Sequence, residues 1–277
     1  MSVALERGMA ILELLSTDRN GMQLSRLSEA LDIPVSAMHR LLTSLIDMGY
    51  VHQTREMGQY CLSLKAVSLG IRFVSKNSLI DLARPLMDEL ASVSGELSRL
   101  GLIDGERLVW VSKSLGTRAG LRYDPDSGAE APLFCSASGL VWLATMSDEE
   151  ALARVMKTGF GRDEDYGPNA PRTPEEFLKQ LRRARANGYA TVSNSVEVAT
   201  AAMAALIRGK DGEPIGVLTI AGPMFRMTTK RMQELAPLLM RATAALSEIN
   251  VSTFAMPPMP LHGERATYPP NGKEIRQ

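Results

Sequence analysis

Apolar residues recur at helical spacing near the start of the chain, with Leu5, Met9, Leu12 and Leu15 on one stripe, which predicts an opening helix over residues 3–15. Over residues 23–64 the rhythm changes twice. Leu24, Leu27 and Leu31 share one face of a short helix. Asp32-Ile33-Pro34 stops it, because proline lacks an amide donor and pushes its predecessor out of the α region. Met38, Leu41, Leu42 and Leu45 then fall at i, i+3, i+4 and i+7, the inward face of a second helix that Gly49 ends. Residues 50–54 and 59–64 read as strands paired across Arg55-Glu56-Met57-Gly58, with Tyr60, Leu62 and Leu64 alternating against Cys61 and Ser63. Two short helices, a turn and a hairpin make a winged helix-turn-helix. Its second helix turns Ser36, Ala37, Arg40, Thr43 and Ser44 outward, the short or basic side chains that a helix entering a major groove requires. A wing and helices used only for protein contacts are the alternative reading.

Residues 65–76 carry Val67, Ile71 and Val74 in register and predict a helical connector. The next helix, capped by Asn77 or Ser78, presents Leu79, Leu82, Leu86, Leu90 and Val93, with Pro85 as a kink or tight packing point. From Glu96 the period falls to two, predicting strands 97–103 and 108–112 joined across Asp104-Gly105, and a possible third strand at 121–123. A helix over 136–146 follows, then capping boxes at Ser147…Glu150 and Thr173…Glu176, the latter with Pro174 at its first helical position and a stop at Asn187-Gly188. Strands are expected at 189–192, 201–208 and 214–221. Met232, Leu235, Leu239, Ala242, Leu246 and Ile249 give the longest helical stripe, with Pro237 as a kink near its start. The pattern as a whole is α+β. It reads as a winged helix-turn-helix over 1–64, a connector helix over 65–77, an antiparallel sheet flanked by helices over 78–252, and a disordered, proline-rich tail over 253–277.

Composition narrows the chemistry. A length of 277 residues suits two compact domains, and 45% hydrophobic with 22% charged residues places them among ordinary soluble proteins. Net charge is +0, so nucleic-acid binding has to be argued locally. Over residues 1–64 five arginines face seven acidic residues, a local charge of −2, so DNA binding would need paired half-sites and an oligomer. Cys61 and Cys135 are the only cysteines, and His39, His52 and His262 are scattered, which predicts no metal site and a reducing compartment. Neither a membrane-length apolar run nor a signal-peptide core is present, so a cytoplasmic protein without membrane contact is expected. The chain lacks a phosphate-binding glycine loop, a nucleophile elbow and HExxH, and no histidine lies between Gln53 and Leu261. Catalysis by a Cys/His or Ser/His pair within the second domain is thereby excluded, and neither catalytic residues nor a cofactor is expected. Lys179, Arg182, Arg183 and Arg185 form a basic cluster that reads as a solvated helix face.

The motifs DIPVSAMHRLLTSL, LARPLMDELA, IDGERLVWV, PLFCSASGLVWLA, GYATVS and GVLTIAGP follow one another in an order and spacing that resembles the IclR family of bacterial transcriptional regulators, over residues 4–249. The resemblance implies a GAF-like effector domain behind the winged helix. It also implies double-stranded operator DNA and a small-molecule effector as partners, and a homodimer or homotetramer built through the DNA-binding domain and connector. By position, the implied DNA-contact set is Gln23, Val35, Ser36, Ala37, His39, Arg40, Thr43 and Arg55. Val35 and Ala37 stand where the family usually has lysine and threonine, which reduces base-edge hydrogen bonds and favours thymine-methyl contacts. The implied effector set is Gly120, Tyr123, Ala131, Phe134, Ala137, Ser138, Val192, Ala202, Thr219 and Ala221. Phe134 replaces a frequent histidine, and Val192, Ala202 and Ala221 replace polar side chains. Such a pocket offers few partners to a small anion, so a hydrophobic or aromatic effector larger than a two- or three-carbon acid is expected, against the alternative that these residues are ordinary core and the pocket is collapsed. The functional expectation is a ligand-responsive DNA-binding transcriptional regulator, against a sensor or scaffold whose winged helix binds protein.

Overall fold

A computed structural model describes residues 3–18, 20–54, 57–74, 78–116, 121, 123–125 and 127–248. The chain divides into two compact units, Met1–Lys76 and Asn77–Gln277. Arg55, Gly120, Ile249 and the tail over 253–277 lie outside the described residues.

In the first unit α1 (Val3–Ser16), α2 (Leu24–Ala30) and α3 (Val35–Asp47) precede a hairpin of β1 (Val51–Gln53) and β2 (Tyr60–Leu62), and α4 (Leu64–Val74) closes it. The apolar face of α3 does what its spacing predicts. Met38, Leu42 and Leu45 are buried among Ile11, Leu15, Leu27, Ile33, Val51 and Tyr60. Asp32 turns the chain between α2 and α3 at a positive φ of 50°, and Gly49 ends α3 at 77°. Leu31 caps α2 rather than continuing it.

Two expectations shift here. Leu5 and Met9 are 64% and 50% exposed, while Ile11 and Leu15 are buried. Burial is confined to the second half of α1, where Leu15 keeps the inward face of the stripe and Ile11 joins it. Leu64 leaves the strand and opens α4, where it is exposed with Val67, Leu69 and Ile71. Ser63 causes the change, since its hydroxyl accepts from Lys65 N at 3.2 Å and starts the helix.

The second unit is a five-stranded antiparallel sheet in the order β4-β3-β7-β6-β5, from β3 (Leu97–Asp104), β4 (Arg107–Leu115), β5 (Ala190–Ser193), β6 (Thr200–Arg208) and β7 (Pro214–Pro223). One face packs on α5 (Ser78–Ser94) and α9 (Thr229–Glu248). The other meets α6 (Ala137–Leu143), with α7 (Asp148–Met156) and α8 (Pro174–Asn187) completing that layer. Leu79, Ile80, Ala83, Met87, Leu90 and Ala91 form the buried face of α5, and Leu82 and Val93 are exposed. The helix packs on both the sheet and α9. The β3–β4 turn is Gly105-Glu106, one residue later than expected, because Asp104 pairs with Arg107. Leu121 and Tyr123 carry no strand. Ser147 and Glu150 form the full capping box, whereas Thr173 makes half of one: the Glu176 carboxylate accepts from Arg172 N instead. Gly188 ends α8 in the left-handed region at φ 76°.

Candidate functional site

The exposed surface of α3 is the first candidate. Val35, Ser36, His39, Arg40 and Thr43 are exposed and Ala37 is half-buried. The opposite face is locked into the core, so the helix presents these side chains from a rigid base. Thr43 Oγ1 and Ser44 Oγ donate back to the carbonyls of His39 and Arg40 at 2.9 and 3.1 Å. Lys65 Nζ donates to Met48 O at 2.7 Å beyond the C-terminal end of α3, a favourable place for a cation. Gln23 is exposed just before α2, which separates it from the α3 cluster in the chain but leaves it on the same unit.

The second candidate lies between α6 and the sheet. Register puts Val192, Ala202 and Ala221 side by side across β5, β6 and β7, and Thr219 opposite Arg99 on β3. Successive residues of a strand alternate faces, so these side chains share the face toward α6. They are short, and the space left between them and α6 is narrow, a cavity of about 20 Å³ with room for little more than one water. Ala137 and Ser138 close it from the α6 side, and Trp110 and Tyr123 supply aromatic walls. The Ser138 and Thr219 hydroxyls bond each other at 2.8 Å, and Trp110 Nε1 donates to Ser138 at 3.4 Å.

Arg99 changes the character of this cavity. Its side chain lines the space, is 4% exposed, and lies with Cζ 3.7 Å from the Trp110 ring centroid. Nε and Nη1 have no hydrogen-bond partner. Burial lowers its pKa, opposed by the nearby Tyr123 and Glu197. Tyr123 donates its hydroxyl to Glu197 Oε1 at 3.0 Å, and burial pushes its own pKa up to about 12. The expectation of few partners for an anion is therefore corrected, because a buried guanidinium faces the space.

Two family models cover nearly all of the described chain. The bacterial transcriptional regulator IclR C-terminal domain matches residues 71–248, and the IclR helix-turn-helix domain matches residues 4–55. This chain belongs to the IclR family. The HTH-type transcriptional repressor AllR of Salmonella typhi is 28% identical over 256 residues, covering 92% of each protein. The transcriptional repressor IclR of Escherichia coli K12 is 24% identical over 241 residues, 86% of each. Among solved structures, an IclR regulator from Alicyclobacillus acidocaldarius superposes with TM-score 0.76 at 20% identity, over 89% of this chain and 98% of that one. An IclR homolog from Microbacterium hydrocarbonoxydans complexed with 4-hydroxybenzoate gives 0.74 at 20%, over 90% and 100%. The curated relatives are transcriptional repressors, not enzymes. This IclR-family chain is a DNA-binding transcriptional regulator, and among its described residues no helix is long and apolar enough to cross a membrane.

Within this IclR-family domain, the expected effector positions divide. Tyr123, Ala137, Ser138, Val192, Ala202, Thr219 and Ala221 line the cavity. Ala131 and Phe134 line the wide neighbouring groove instead, and Phe134 packs edge-on against Phe160 and Tyr166 at 5.7 and 4.9 Å. The chain arrives at α6 through Pro132 and Leu133, which directs Phe134 into that aromatic cluster and away from the cavity. Arg99, Trp110, Ser195, Val196 and Thr200 were not anticipated. For Arg99 a signal existed: a single charge at the centre of an apolar strand, LSRLGLI. In the basic cluster, Lys179, Arg182 and Arg183 are exposed, and Arg185 holds the carbonyls of Ala144 and Met146 at 3.1 and 2.7 Å beyond the end of α6.

Proposed function

We propose that this regulator is ligand-responsive: α3 enters the major groove of double-stranded operator DNA, and the cavity of the second unit takes a small organic molecule with a hydrophobic or aromatic body. The observation that carries the reading is the lining of that narrow space, with Ala137, Ala202, Ala221 and Val192 as small apolar walls beside Trp110 and Tyr123, which part to admit the ligand. The related IclR homolog complexed with 4-hydroxybenzoate supports an aromatic body. In this reading Ser36 and Arg40 make the polar contacts to DNA, and Val35 and Ala37 meet thymine methyl groups. The local charge of −2 favours two or four copies on paired half-sites, and the exposed Leu64, Val67, Leu69 and Ile71 of α4 supply an apolar surface for a second copy. Effector binding shifts operator affinity by a coupling free energy of about 1–3 kcal/mol.

The test is binding of the full chain to its own upstream intergenic DNA at fixed salt, with and without a panel of aromatic and aliphatic metabolites. A specific shift that one compound class alters supports the reading. A folded oligomer that shifts no DNA at any salt would sink it and leave the sensor or scaffold alternative.

A further inference from the structure

We propose that Ser63 and Lys65 are positioning residues for operator binding: they clamp the first turn of α4 to the C-terminal turn of α3 and so fix the angle between the connector and the helix that meets DNA. The inference rests on the reading that copies of the chain bind paired half-sites.

The connector is held at one end. Over residues 64–72 only Ala66 is half-buried and the rest are exposed. Among the described residues no other helix or strand packs extensively along α4. Its direction relative to α3 is therefore set by what holds its first turn.

The end of α3 supplies the place to hold. Gly49 N donates to Ile46 O at 2.8 Å and Tyr50 N to Leu45 O at 2.9 Å, with Gly49 at φ 77°, which is a Schellman stop. That motif satisfies the carbonyls of Leu45 and Ile46 and leaves those of Met48 and Gly49 for partners outside the helix. Both partners come from the start of α4. Lys65 Nζ donates to Met48 O at 2.7 Å, and Ser63 Oγ donates to Gly49 O. The Ser63 hydroxyl also accepts from Lys65 N at 3.2 Å, so one oxygen ties the last turn of α3 to the first turn of α4. Ser63 N completes the tie by donating to Tyr50 O at 2.9 Å.

Lys65 adds charge to this joint. Its ammonium sits at the negative end of the α3 dipole and 4.8 Å from the centroid of the Tyr50 ring. The consequence falls on half-site spacing. One inserted base pair moves the second half-site by about 3.4 Å and turns it by about 34° around the duplex. A clamped joint cannot follow that displacement, and a loosened one can. The clamp therefore makes the regulator discriminate between spacings.

The test uses the full-length chain and the operator recovered from random duplexes by selection, with two further duplexes in which one base pair is inserted or removed between the half-sites. The parent binds the selected spacing about 30-fold or more tightly than either altered one. In Lys65→Met that ratio falls about five-fold or more, with the salt-dependence slope unchanged. Tyr50→Leu, which leaves the charge as it is, gives the same fall. Ser63→Ala gives it too; where loss of the helix cap prevents folding, the other two variants decide. Circular dichroism at the assay temperature checks that each variant is folded, so a purely structural role does not mimic the result. An unchanged ratio in Lys65→Met and Tyr50→Leu overturns the clamp. Equal weakening at all three spacings, with the slope reduced by about 1 in Lys65→Met alone, makes Lys65 a phosphate contact and overturns it as well. A parent chain that does not distinguish the spacings overturns the paired half-site reading and the clamp with it.

Discussion

Arg99 lies over the indole of Trp110 on the neighbouring strand, with the guanidinium carbon 3.7 Å from the ring centroid. The sequence separates them by a hairpin, and a β-bulge between Leu100 and Gly101 sets the register that brings them together. The pair joins the one charged residue among the described residues lining the cavity to one of the two tryptophans of the chain. That coincidence makes effector occupancy visible by emission. A Trp142→Phe variant retains the fluorescence change on ligand addition, and Trp110→Phe loses it. The reverse pattern would place the ligand elsewhere, near Trp142 and the overlying Arg154.

On α3 the exposed and buried faces separate binding from folding. Arg40→Ala weakens operator binding across sequences and reduces the salt-dependence slope by about 1 if it meets a phosphate, or by 1–3 kcal/mol at one base position if it reads a base. Its melting temperature is unchanged, because the side chain is exposed. Leu42→Ala leaves the outward face intact and costs about 2–5 kcal/mol of stability, measured by denaturant unfolding. A variant set in which both properties move together would refute this division.

Cys135 is fully buried, its pKa pushed up by desolvation to about 12. A thiol reagent at pH 8 labels half-buried Cys61 in the folded protein and reaches Cys135 only on unfolding. The raised value also links to stability. The protonated thiol is favoured in the fold, so this contribution is fully present below the ordinary thiol value near 9 and is lost as pH rises from there toward 12. Cys135→Ala shows a shallower loss of stability across that window; an unchanged slope would contradict the shift.

Glu96 is buried at the end of α5 and both its oxygens face Arg226, whose Nη2 donates to Oε2 at 2.9 Å and to Leu121 O at 2.9 Å. Removing the arginine strands a buried carboxylate, so Arg226→Met destabilises the second unit by about 3 kcal/mol. The double variant with Glu96→Gln recovers part of the loss. Gly222 completes the pocket for this carboxylate, since a Cβ there would stand 2.4 Å from Glu96 Oε2, and Gly222→Ala weakens the same pair. Thermal unfolding of the three variants checks the order.

Much of this architecture was legible residue by residue. The inward face of α3, the Ser147–Glu150 box, the Gly188 stop, the β6 and β7 strands and the stripe of α9 all rest on contacts within a few residues, where periodicity and capping chemistry act directly. The faces of α1 and α5 were less so. Each carries apolar side chains over more than half its circumference, and only the partner surface selects which are covered.

The sequence by itself determined the elements, their order, the family, and seven of the side chains around the cavity. The tertiary structure alone decided that Phe134 joins an aromatic cluster and that Arg99 is buried with Nε and Nη1 lacking a hydrogen-bond partner. The reason is physical. Whether a buried charge is neutralised depends on atoms drawn from β3, β4, β7 and α6, and their meeting is set by sheet register, over separations at which no local pattern in the chain carries information.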